Sequence, residues 1–553
     1  MKTIRSLKID APLIILIAAV LITLVVGGGA YQVMRIYRIV QPIWVEQAAY
    51  SQAPMLAFSA LLHQNGFWYA ISQMGGERHL LQLVILGIFA PSQLNAFHAP
   101  LLIALPTLTV FLAMFGWTVY QRTTHLGYAV VSMLFYCSIA QITFHAWGVG
   151  SGFADWQAMF LLSAAALCLI NALIHPGIFW IRMFSLFVSL AVLARTTATF
   201  YAAVTCAPMI GIYLIEQYKR ERSIKQPGIT ILNILVVIMP AAVIVLGQLS
   251  KMFLYYGSVN AWNLHQPFGV SAYNIFISLL TPFMGKPLIL TCVVLFLFQI
   301  YKNFSRVGNF TASGIALGWW IVGYLGFLLA YGYTSDVPKE VMYVVPALLL
   351  VSVAPFSGIN QIPVSYSKLL SAGLAVFSVI FFGWNVLQNI GLAKVVTPEQ
   401  AALRSVQYEM AEIISSLPSD IIWQSYTSVD WGIPVSLRTQ YDFGEYRQYG
   451  GTDFYNKKAY WDTWYPTLTL EELQNKVYAQ TMNCVDAVVI LKDPDLQPSG
   501  MEDYSYVIAA FIAGQVKADS NWELVSGLDG WPVGTKYQIY KNNAPASLRS
   551  CRK

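Results

Sequence analysis

Through the first 393 positions, apolar residues run in blocks that charged residues seldom interrupt. Crossing a hydrocarbon core of about 30 Å takes roughly 20 apolar residues per helix. The pattern predicts eleven spans, at 11–30, 99–120, 126–145, 154–174, 178–195, 198–217, 228–249, 287–301, 311–331, 341–356 and 369–388. An odd number places the two termini on opposite sides of a membrane. Two intervening segments are too long to be simple loops. Residues 31–97 hold shorter apolar stretches, APMLAFSALL and HLLQLVILGIF, broken by Pro42, Pro54 and Gly75-Gly76, and read as interfacial helices. Residues 250–286 are rich in Tyr, Trp, Asn and Phe, as suits the headgroup level.

After Asn389 the pattern changes. PEQAALRSVQYEMAEIISS (398–416) has helical periodicity with an acidic start. DIIWQSY and DAVVILK read as strands with helical stretches between them, and WELV and KYQIYK as a closing strand pair. The expected organisation is a polytopic α-helical membrane domain over 1–393, followed by a soluble α/β domain over 394–553.

Composition agrees with the pattern. The chain has 553 residues, 57% of them hydrophobic and 11% charged, with a mean hydropathy of +0.56. Soluble domains carry about 25% charged residues. The net charge of +6 sorts by side of the membrane and does not mark a nucleic-acid binder. Predicted inner loops hold 12 Lys and Arg and outer loops 7, with the densest cluster, KRERSIK, inside. The N-terminus is thus expected in the cytoplasm and the C-terminal domain outside it, in a bacterial inner membrane. Cys137, Cys168, Cys206 and Cys292 lie in apolar segments and read as small buried hydrophobes. Cys484 and Cys551 lie in the polar region, where a disulfide between them is an open alternative.

Carboxylates narrow the search for chemistry. Only eight fall in the first 393 residues: Asp10, Glu46, Glu77, Asp155, Glu216, Glu221, Asp336 and Glu340; the last 160 hold the other 19. Acids in membrane segments are costly and tend to be functional. Asp155 opens the fourth span after a glycine-rich approach, HAWGVGSGFADW. It is either a catalytic or metal-binding carboxylate or a helix-start residue complementing the dipole. A divalent cation held by Asp155 and His145 is a weaker alternative. Glu46 is either a general base with a raised pKa or a partner for Arg35 and Arg38. Arg78 and His79, in GGERHLL, offer donors to phosphate oxygens or form a solvated helix start. Lys339 precedes a span as an interfacial anchor or a phosphate contact. Arg195, at a tight corner between two spans, suits an anchor or a site for an anionic lipid. The aromatic stretch 441–466 suits sugar stacking or membrane docking. Walker loops, zinc spacings and GxSxG elbows are absent from the sequence.

Four features occur in a telling order. A long first outer loop carries an acid, and GFADWQAMFLLSAAAL follows with its own. SLAVLARTTATFYAAV then makes a tight basic corner, and Lys339 precedes MYVVPALLL. In this the chain resembles the GT-C superfamily of polyprenyl-phosphate-sugar-dependent glycosyltransferases. The nearest branch is that of protein O-mannosyltransferases and the lipid A aminoarabinose transferase. The resemblance implies an integral membrane glycosyltransferase moving a sugar from a polyprenyl-phosphate donor to a glycan, lipid or protein acceptor on the outer face. Glu46 and Asp155 would be its catalytic acids, and Arg195, Lys339, Arg78 and His79 would contact the donor phosphate. The family's first-loop motif often pairs two acids, whereas Glu46 stands alone. The rival reading is a lipid-linked glycan transporter or an assembly subunit, although internal repeats typical of transporters are not evident.

Overall fold

The computed structural model describes residues 10–40, 62, 66–74, 80–81, 84–85, 98–144, 148–149, 154–256, 270–273, 275, 311–331, 342–353, 364–417, 421, 423–425, 469–492, 504–528 and 530–545. In chain order the membrane part comprises α1 (Ala11–Val40), α2 (Phe67–Met74), α3 (His98–Thr123), α4 (Leu126–Cys137) and α5 (Ala140–Thr143). It continues with α6 (Ala154–Ile174), α7 (Ile178–Ala194), α8 (Ala198–Glu221), α9 (Lys225–Tyr256), α10 (Ala312–Tyr331), α11 (Val345–Val353) and α12 (Val364–Lys394).

Among the described residues seven helices are long and apolar enough to cross a membrane: α1, α3, α6, α8, α9, α10 and α12. The chain is an integral membrane protein. The predicted total of eleven is not reached among these residues, and three spans differ in detail. The stretch expected as 126–145 is a 12-residue helix, α4, broken at Ser138 before the four-residue α5. α7 has 17 residues, and α11 has 9, starting after a turn at 342–344. The span at 287–301 lies outside the described residues. α1 also continues to Val40, past the glycines at 27–29 where the first span was expected to end near residue 30. Two of those glycines, Gly27 and Gly29, are points of close packing. A Cβ on Gly27 would sit 2.7 Å from Leu105 of α3, and one on Gly29 would sit 2.9 Å from Phe382 of α12. Small residues let membrane helices approach in this way.

α6 is the central helix. Ala and Leu dominate its sequence, and 94% of its most apolar stretch is buried, against 11% for α12. It packs against α3, α7, α8 and α10. An aromatic ladder joins it to α3 and α4: Trp156 to Phe160 at 5.5 Å, Phe160 to Phe111 at 5.7 Å, and Phe111 to Tyr136 at 4.8 Å. Farther along, Asn171 donates to the Thr118 hydroxyl at 2.8 Å, giving one buried polar group a partner on α3.

The C-terminal part forms α13 (Pro398–Ser416), β1 (Trp423–Ser425), α14 (Leu470–Cys484), β2 (Ala487–Leu491), α15 (Tyr504–Ala518), β3 (Trp522–Leu524) and β4 (Tyr537–Asn542). The sheet order is β1-β2-β4-β3, with β1 parallel to β2 and the other pairs antiparallel. The helix at 398–416 and the four strands match the sequence pattern. β2 is buried at all five positions because both faces are covered. Ala487, Val489 and Leu491 join Val406, Met410 and Ile413 of α13, whereas Val488 and Ile490 join Val477 of α14 and Ile512 and Val516 of α15. A capping box between Thr469 and Glu472 starts α14. Cys551 and the aromatic stretch 441–466 lie outside the described residues.

Candidate functional site

The α6–α7 pair is an antiparallel hairpin with a connector at His175–Gly177. Asp155 and Arg195 each lie twenty residues from His175, so folding the chain there returns both to one end. Asp155 is in the first turn of α6, where a carboxylate complements the dipole. Arg195 ends α7: its backbone turns extended, at φ −155° and ψ 124°, and its N–H donates to the Ala191 carbonyl. Three residues later α8 begins, with the Ala198 N–H bonded to the Arg195 carbonyl at 2.9 Å. The basic corner is thus a single turn, too short to carry its side chain away from the bundle.

Arg195 and Asp155 form an ion pair through Nη1 and Oδ1. The pair is lopsided, with the Asp155 side chain 1% exposed and that of Arg195 21% exposed. The Arg195 side chain thus keeps partial contact with solvent, while the Asp155 carboxylate is closed off. Trp156 and Gln157 beside Asp155, and Thr196 beside Arg195, are also buried.

Glu46, Arg78, His79, His145 and Lys339 lie outside the described residues. Of the candidates from the sequence, the structure therefore brings together Asp155 and Arg195. Among the described residues no three His, Cys, Asp or Glu side chains gather into a metal-ligating group.

The turn that follows Lys339 is firmly held. Tyr343, buried, has its hydroxyl 3.1 Å from that of Thr205 on α8, with its ring 4.7 Å from Tyr324 and 5.4 Å from Trp320 on α10. Tyr324 meets Tyr201 of α8 at 5.5 Å. Sequence reasoning passed over this cluster. Its signal was a hydroxyl-bearing residue in each of three apolar segments, which separation along the chain disguises.

Sequence comparison gives nothing: no family model and no curated protein matches the chain. Structural comparison does. ArnT from Cupriavidus metallidurans, bound to undecaprenyl phosphate, aligns over 97% of this chain and 98% of its own, with a TM-score of 0.55 and 12% identity. The chain has a GT-C fold. The apo form of the same ArnT matches equally, at TM-score 0.55 and 13% identity. The mycobacterial arabinofuranosyltransferase AftD is a looser match, at TM-score 0.43 over 96% of this chain and 40% of its own. Within this GT-C fold the buried pair sits where the central helix starts.

Proposed function

We propose that the chain is a membrane glycosyltransferase that moves a sugar from a polyprenyl-phosphate carrier to an acceptor on the extracytoplasmic face. The observation that carries this reading is the Asp155–Arg195 pair, a buried carboxylate held by a partly exposed arginine. It occurs in a fold shared along nearly its whole length with a protein that binds undecaprenyl phosphate.

The exposure of the two partners suggests an order of events. Arg195, partly exposed, meets the donor phosphate, because a guanidinium matches phosphate oxygens with paired N–H donors. Drawing the guanidinium toward phosphate frees the Asp155 carboxylate to accept a proton. The acceptor's nucleophile attacks the anomeric carbon and gives its proton to Asp155 or to Glu46. The bond from that carbon to the phosphate oxygen breaks, and the leaving phosphate keeps the electron pair. Arg195 stabilises that charge, with Lys339, Arg78 and His79 as further cations. Preorganised positive charge at a departing group is the usual source of such stabilisation.

The test is turnover in proteoliposomes supplied with polyprenyl-phosphate sugars. Asp155→Ala and Glu46→Ala should each be compared with the unaltered chain, and loss of the acting base should lower turnover by about 10²–10⁴-fold. Normal transfer by the double variant would remove both acids from the mechanism.

A further inference from the structure

Two buried amides on α12 face the helix break that precedes the site. Asn385, 2% exposed, donates to the Ser138 carbonyl, and Asn389, fully buried, donates to the Thr143 hydroxyl at 3.1 Å. They lie one turn apart, so they grip both ends of the segment from Ser138 to Thr143. That segment is where the span expected at 126–145 breaks. Ser138 caps α4, and α5 ends at Thr143.

The grip continues toward Asp155. The Gly148 N–H bonds to the Phe144 carbonyl at 2.7 Å, folding the chain back over the end of α5. Any side chain at 148 would collide with backbone, since a Cβ there would lie 2.6 Å from the Phe144 nitrogen and 2.7 Å from the Ile142 oxygen. Val149 is then buried in the same core as Trp156, the neighbour of Asp155. A side-chain amide in an apolar helix is disfavoured unless its bonds are made. Each of these two donates its side-chain N–H to the approach to α6, one to a backbone carbonyl and one to a hydroxyl.

We propose that Asn385 and Asn389 are positioning residues that set the level at which Asp155 meets Arg195. The inference rests on the reading of that pair as the reactive centre. It adds that α12, the last membrane helix before the C-terminal domain, governs the geometry of the centre without touching it.

Hydrogen exchange of the full chain in nanodiscs tests the grip, with Asn389→Ala, Thr143→Val and Thr143→Ser compared. Losing one buried hydrogen bond should speed exchange of the α5 amides and of Gly148 and Val149 about three- to tenfold. Asn389→Ala and Thr143→Val should both show this, whereas Thr143→Ser keeps the hydroxyl and should stay near the unaltered chain. Undecaprenyl phosphate binding is measured on the same samples. It should weaken in Asn389→Ala, and that effect should vanish in an Asp155→Asn background if the amide acts through the pair. Unchanged exchange, or Thr143→Ser behaving as Thr143→Val, overturns the grip. A binding loss that persists beside Asp155→Asn overturns the positioning role. If exchange responds as expected but the unaltered chain ignores undecaprenyl phosphate, the functional reading fails while the grip stands.

Discussion

Replacing Arg195 should harm the fold more than replacing Asp155, although the two form one ion pair. Removing one partner of a buried pair costs about 3–5 kcal/mol, because the other charge is stranded away from water. Here the stranded charges differ. In Asp155→Asn the arginine keeps partial contact with solvent, since its side chain is 21% exposed, and the amide oxygen can still accept a hydrogen bond. The cost should fall to about 1–2 kcal/mol, near that of one weakened hydrogen bond. In Arg195→Gln the carboxylate is left 1% exposed with its cation gone, so the cost should lie in the full range of about 3–5 kcal/mol. The double variant strands nothing and should cost less than the sum by about 2 kcal/mol or more. Reversible unfolding of all three variants in one lipid composition at pH 7 gives these differences. Equal costs for the single variants, or simple additivity in the double, would refute the description of the pair as lopsided and coupled.

Further outcomes concern the approach to the site and the C-terminal domain. Gly148→Ala forces a Cβ against the backbone of Ile142 and Phe144, and should destabilise the membrane part by about 1–3 kcal/mol, read by the same unfolding assay. Ile539→Ala removes a fully buried side chain from the α13 face of the sheet and should cost about 2–5 kcal/mol, seen as earlier protease cleavage of the C-terminal domain on heating. The Tyr478 hydroxyl donates to the Asp519 carboxylate at 2.5 Å, and this bond, followed by the Asn521 N–H, holds the Asp519 pKa below its usual value. A depressed carboxylate stabilises above its unfolded pKa of about 3.9 and loses that contribution as pH falls through the folded value. Tyr478→Phe should therefore weaken the domain above about pH 4 and bring no further loss in acid; a variant whose deficit grows with acidity would contradict this.

Much of the fold is legible in residue order, for identifiable reasons. The span of α6 and the strands of the C-terminal sheet follow from local apolar periodicity, which needs no knowledge of partners. Asp155 stands out because an acid beside an apolar run is costly wherever the chain goes. What escapes is what depends on neighbours. Gly27 and Gly29 look like a helix end, yet the backbone continues because Leu105 and Phe382 fill the space left by the missing side chains. The segment 126–145 looks like one span, yet it breaks at Ser138, where Asn385 supplies a donor from 247 residues away. The Asp155–Arg195 pair sits between these cases. Each residue was a candidate alone, and their meeting follows once the hairpin is folded at His175.

In the proposed reaction Arg195 meets the phosphate of a polyprenyl-linked sugar. Mass spectrometry of lipids that co-purify with the full chain addresses it most directly, with Arg195→Gln purified in parallel. An isoprenoid phosphate carrying a sugar should be found on the unaltered protein and be markedly depleted from the variant. No such lipid on the unaltered chain, or equal amounts on both, would contradict that contact.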